Sequence, residues 1–145
     1  MPLDKSYIEL NRASTKRMRE LAMSLTDEQL RQPVNKEWTV YSTYAHLKFW
    51  DMRVMQILDM TEREGKLVAP QIDEAVNDIL NIMFHAIPPR LAVQTAFQAA
   101  GALDDMLEKF PPNLLEQIHA RYDRWVFRAL HRNAHLDVIE KALKQ

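Results

Sequence analysis

Glycine occurs only twice in this 145-residue chain, and that scarcity sets the fold class. Tight β-turns rely on positive φ, which glycine adopts at little steric cost. A sheet-rich domain of this length needs more such turns than two glycines support, so the expected class is all-α. Proline does the punctuating instead, at Pro33, Pro88-Pro89 and Pro111-Pro112, where the missing N–H stops or bends a helix.

Between these breaks the periodicity is helical. Leu3, Tyr7, Leu10, Ser14, Leu21 and Leu25 recur in three- and four-residue steps, which predicts a first helix with these residues inward. Thr26 and Gln29 have capping-box spacing for a short turn. Thr39 is the expected N-cap of a second long helix running to Glu64, with Gly65 as its stop. On that helix Ser42, His46, Phe49, Trp50, Arg53, Ile57 and Met60 share the face expected to point inward, with Tyr44, Lys48, Asp51, Met55, Asp59 and Glu62 opposite.

Residues 66–71 read as a linker and 72–86 as a helical crossover. A third long helix is expected over 89–109, where Ala96, Ala99, Ala100, Gly101 and Ala102 would let a neighbour approach closely. Asn113 and Glu116 suggest a cap for a final helix reaching Lys144. Its apolar girth from Tyr122 to Leu130 predicts the deepest burial of the set. Length and the absence of repeats suggest one domain over 1–145.

Charge and cysteine usage remove several classes of function. Nineteen Lys+Arg against twenty Asp+Glu leave a formal charge of −1, so no bulk basic field favours nucleic acid or anionic lipid. Cysteine is absent, which removes disulfides, thiolate ligands and a cysteine nucleophile and fits a reducing cytoplasm. Asp4 and Lys5 interrupt the place where a signal peptide would be apolar. The longest charge-free run, Leu91–Leu103, would span about 20 Å as a helix, short of a bilayer core of roughly 30 Å. A cytoplasmic protein without a membrane or nucleic-acid partner is expected.

Chemistry is concentrated in the histidines. His131 and His135 are four apart in ALHRNAH, which stacks them about 6 Å apart along a helix, offset by about 40°. Such a pair can chelate a transition ion, and neutral imidazole suits Zn, Ni, Cu or Fe. The alternative is two half-buried histidines bonded to neighbouring side chains. His46 supplies a third inward imidazole, and three histidines with open positions for water or a thiol form a recurrent catalytic arrangement; by itself His46 could equally be a core histidine. His46 comes to the height of His131 and His135 only if the second and last helices are antiparallel. The short link near 110–113 makes the third helix antiparallel to the last, hence parallel to the second, with 65–89 as the long crossover. The expected fold is therefore a four-helix bundle of up-down-down-up order, with a helical crossover between its second and third helices.

Trp38-Thr39-Val40, followed by His46 within AHLKFWDMR, resembles the entry to the second helix of the DinB/YfiT-like superfamily. LHRNAHLDVIEKAL resembles that superfamily's last-helix HxxxH segment. The resemblance implies an up-down-down-up bundle, often a homodimer, with a metal held by His46, His131 and His135. It also implies a divalent ion such as Zn, Ni or Fe and, as in the superfamily's thiol-dependent S-transferases, a low-molecular-weight thiol.

Around such an ion Arg128 is the candidate to hold a small-molecule substrate's carboxylate or a thiol's acidic groups, and Arg53 is a second candidate on the face of His46. An internal ion pair is the alternative for Arg53. For the stripe Arg124, Arg128 and Arg132 it is a solvated edge or a dimer contact. Trp50 and Tyr41 could wall an entrance or simply fill the core. His85 and His119 do not share the spacing, and the eight methionines read as packing filler. No carboxylate stands out as a general base, which favours thiol transfer over hydrolysis. A non-catalytic bundle that binds a metal or small ligand and dimerises is the competing function.

Overall fold

The expected stops shape the chain as it folds. In the computed structural model, which describes residues 3–145, the chain is all-helical: α1 Ser6–Ser24, α2 Asp27–Leu30, α3 Val40–Glu64, α4 Val76–Phe84, α5 Pro89–Lys109, α6 Pro112–Arg121, α7 Asp123–Val126 and α8 Ala129–Leu143. No helix among the described residues is long and apolar enough to cross a membrane.

The capping box expected at α2 forms, and the expected N-cap of α3 forms one as well. Thr26 accepts from the Gln29 amide while Gln29 answers at the Thr26 amide, and Thr39 does the same with Ser42. Gly65 closes α3 at φ 70°, the left-handed conformation that favours glycine. Pro89 and Pro112 occupy first-turn positions, where no intrahelical N–H is lost.

The predicted final helix is instead three. Tyr122, at φ −143° and ψ 75°, and Phe127, at φ −87° and ψ 73°, leave helical geometry. Asn11 of α1 bonds across the second break, donating to the Val126 carbonyl at 2.8 Å and accepting from the Ala129 amide at 2.9 Å. It thus satisfies one orphan group on each side. The Asn113 cap is not used either, because α6 begins one residue earlier with no side-chain cap.

Burial corrects three further expectations. The inward face of α1 is Tyr7, Asn11, Ser14, Thr15, Met18 and Ala22, while Leu10 is exposed. Asp51, assigned to the outer face of its helix, is completely buried, as is Tyr44. The helix with the most buried residues is α3 rather than the last segment.

The apolar interior forms two clusters. One gathers Met18, Leu30, Tyr44, Leu47, Ala96 and Leu136. The other gathers Tyr7, Val54, Leu58, Leu107, Ile118 and Val126. Buried polar residues fall between them along the chain: Asn11, Ser14 and Thr15 on α1, Asp51 on α3, and Arg128 and Arg132 at the start of α8.

Candidate metal centre

The position of His46 is set locally. The Asn35 carboxamide accepts from the amides of Glu37 and Trp38, an Asx-type turn. Val34 donates to the Trp38 carbonyl at 2.8 Å. This brings Thr39 into its capping geometry, and His46 follows about two turns into α3. The Trp38 ring meets the His46 ring edge-on at 4.9 Å, and His46 is buried.

His131 and His135 lie one turn apart on α8, whose start Asn11 anchors. The His46 ring centroid is 5.2 Å from that of His131 and 4.6 Å from that of His135. One ligand nitrogen from each ring can be chosen so that all three lie within 4.8 Å of one another. The Nε2 atoms of His46 and His131 are 3.3 Å apart. Zinc–nitrogen bonds of about 2.0–2.1 Å at tetrahedral angles hold ligand nitrogens roughly 3.3–3.4 Å apart, so this edge already has the required length.

The imidazoles are neutral. Burial, then the neighbouring His135 and Arg128, pushes the His46 pKa down to about 3. Burial, then Arg128 and the other two histidines, pushes His131 down to about 2. His135 is lowered by burial. No proton therefore competes for a second nitrogen of any ring near neutral pH. Nδ1 of His46 is buried without a hydrogen-bond partner. This group of histidines could hold a metal ion.

Behind His131 sits a charged network. Arg128 Nη2 lies 3.1 Å from His131 Nδ1. Because arginine only donates, neutral His131 carries its proton on Nε2, facing His46. Metal-bound histidines usually back onto an acceptor. Here an ion at Nε2 would displace that proton, and the guanidinium would face the resulting imidazolate charge. Arg128 also donates to Asp51 at 2.8 Å and to the Arg124 carbonyl at 3.1 Å. The other Asp51 oxygen accepts from Arg132 at 3.1 Å, and Arg132 reaches Asp104 at 2.9 Å. Burial raises the Asp104 pKa, with Arg132 and Thr15 opposing.

The residues expected around the site separate. Arg128 lines it but is buried, with each guanidinium nitrogen already engaged. Arg53 is placed elsewhere: its guanidinium donates to Gln56 Oε1 at 2.7 Å and to the Pro70 carbonyl. It ties the crossover to α3, and neither partner is a carboxylate. The break at Phe127 dissolves the arginine stripe, leaving Arg124 exposed and Arg132 wholly buried. Tyr41 is a core residue donating to the His85 carbonyl, and His85 itself packs at the end of α4.

Beside the histidines lies a hollow of about 440 Å³, whose walls include Trp38, Trp50, Trp125, Glu74, Asn77 and Arg124. Sequence reasoning found Trp50 but missed Trp125, Glu74 and Asn77, which come from separate segments. The Trp50 indole N–H donates to Asn77 at 2.9 Å, joining α3 to the crossover helix. No protein-family model, curated protein or solved structure matches the chain.

Proposed function

We propose that the chain is a metal-dependent transferase of the DinB/YfiT-like kind, acting on a small electrophilic molecule with a thiol as the nucleophile. The observation that carries this reading is the convergence of three neutral imidazoles, from α3 and α8, beside an open hollow. A bound divalent ion supplies Lewis acidity, which lowers the pKa of a coordinated thiol or water.

The chain's own groups would do the rest. His46, His131 and His135 hold the ion, and Arg128, itself held by Asp51, positions His131. Trp38 packs against His46 and limits water on that side. Glu74 lines the hollow and is exposed to solvent, so thiol transfer, which needs no carboxylate base, is favoured over hydrolysis.

Side-chain pairings support the up-down-down-up bundle that goes with this assignment. Asn11 and Arg17 of α1 meet Ala129 and Asp137 of α8 in the same order along the chain. His46 and Asp51 of α3 meet His131 and Arg128 in reverse order. Thr15 of α1 meets Asp104 of α5, while Arg90 returns to Ala22. These pairings suit α1 and α8 running one way, and α3 and α5 the other. A cytoplasmic homodimer completes the proposal.

Elemental analysis of untagged protein, with titration by Zn, Ni and Fe(II), tests the assignment. Roughly one ion per chain is expected, with His135→Ala losing it while keeping its helical circular dichroism. Thiol consumption should then follow metal content when a panel of small electrophiles is supplied. Absence of stoichiometric binding by any of the three metals overturns the proposal.

A further inference from the structure

All three tryptophans of the chain line one hollow. Trp38 precedes α3, Trp50 lies on α3 and Trp125 on α7, so the convergence is tertiary and not a local sequence effect. Each indole is half-buried. Trp50 is fixed through Asn77, and Trp125 is stacked on Tyr122 at 3.9 Å. Rigid, partly open aromatic walls of this kind present π faces to an occupant at little cost in side-chain entropy. The volume, about 440 Å³, lies within the usual range for small-molecule sites, roughly 300–1,000 Å³.

The charges of the lining narrow the chemistry. Arg128 is balanced by Asp51. Arg124 is exposed, and no carboxylate of the described residues lies within 4.0 Å of its guanidinium. Glu74 supplies the opposing negative charge and makes no ion pair with Arg124. One available cation favours one anionic group, and one available carboxylate disfavours a second.

We propose that the hollow binds a flat aromatic molecule bearing a single carboxylate, with the tryptophans as its walls and Arg124 as its cation. This deepens the reading above and rests on it for the ligand's part as the electrophile; occupancy of the hollow does not require the metal.

The probe is 2-naphthoate, titrated into metal-free and zinc-loaded protein by calorimetry, with tryptophan emission as a second signal. Its comparators are 2-naphthamide and the fully saturated decalin carboxylate. Naphthoate should bind metal-free protein about three- to tenfold more tightly than the saturated acid, the range expected from aromatic contacts. It should exceed the amide by a similar factor. Arg124→Gln should bring naphthoate down to the level of the amide without changing the amide, and Glu74→Gln should tighten naphthoate. Both positions are exposed, and circular dichroism checks their folding. Equal binding of the saturated acid, an unchanged Arg124→Gln variant, or no signal at several millimolar naphthoate overturns the proposal. Zinc stoichiometry, measured separately on Arg124→Gln, should equal that of wild type, so loss of the aromatic site and loss of the metal site are read independently.

Discussion

Asp51 and Arg132 meet at 3.1 Å, and neither side chain reaches solvent. The same carboxylate also holds Arg128, so one buried anion serves two buried cations, with Asp104 as the second anion. Removing one partner from a buried pair strands the other charge, a loss of about 3–5 kcal/mol. Asp51→Asn should therefore lower the urea unfolding free energy by that amount. A change below about 1 kcal/mol, the range of exposed pairs, would contradict the burial of this cluster.

The contact of Arg128 with His131 assigns a tautomer. In metal-free protein, long-range proton–nitrogen correlation spectra should show His131 protonated at Nε2 and bare at Nδ1, where Arg128 donates. Arg128→Gln should weaken that preference. A proton on Nδ1 in wild type would mean that the guanidinium does not point there in solution.

Acid should destabilise the metal-free protein through its histidines. His46 and His131 titrate near 3 and 2 when folded, against an ordinary value of about 6.5. Between about pH 6.5 and 3 the unfolded chain thus binds protons that the native chain does not. Their stabilising share is complete above that window and is lost as pH falls, by up to about 1.4 kcal/mol per pH unit for each ring. Unfolding free energies measured from pH 6 to 4.5 should follow this slope, and His46→Gln should flatten it by about one proton. An unchanged slope would place His46 in water.

Asn11 carries the break between α7 and α8. Asn11→Ala leaves the Val126 carbonyl and the Ala129 amide without their partner, at about 1–3 kcal/mol for each unsatisfied buried group. Chemical denaturation should register at least the lower sum, about 2 kcal/mol. Zinc affinity should fall as well, because α8 presents two of the three histidines. A variant with native stability would leave the break to some other cause.

What the sequence revealed, and what it concealed, follows from the range of each signal. The Thr39 N-cap and the stop at Gly65 are local, because cap and helix lie within a few residues. His131 and His135 are an i, i+4 pair, and His46 joined them through a register argument about whole helices. Asp51 carries no such signal. Its partners are 77 and 81 residues away, and on a helical projection an isolated carboxylate looks solvent-facing. Asn11 escaped attention for the same reason, since its partners lie 115 and 118 residues distant. Of the expected inward face of α1, Tyr7, Ser14 and Leu25 are buried but Leu10 is exposed, because the helix also turns Asn11 and Thr15 inward, where the Ser14 and Thr15 hydroxyls meet Arg132. The arginine stripe assumed an unbroken helix, which Tyr122 and Phe127 interrupt.

The buried ionic layer between the two apolar clusters also restricts how the helices can slide. Apolar side chains tolerate exchange of one neighbour for another, but a one-turn slip of α8, about 5.4 Å, would set Arg128 or Arg132 in the other's place and carry the second arginine away from its carboxylate. Such a shifted packing would leave the two-anion, two-cation cluster incompletely paired in a dry interior. The layer thus acts as an indexing pin, excluding near-native alignments and holding α8 at the height where its histidines face His46.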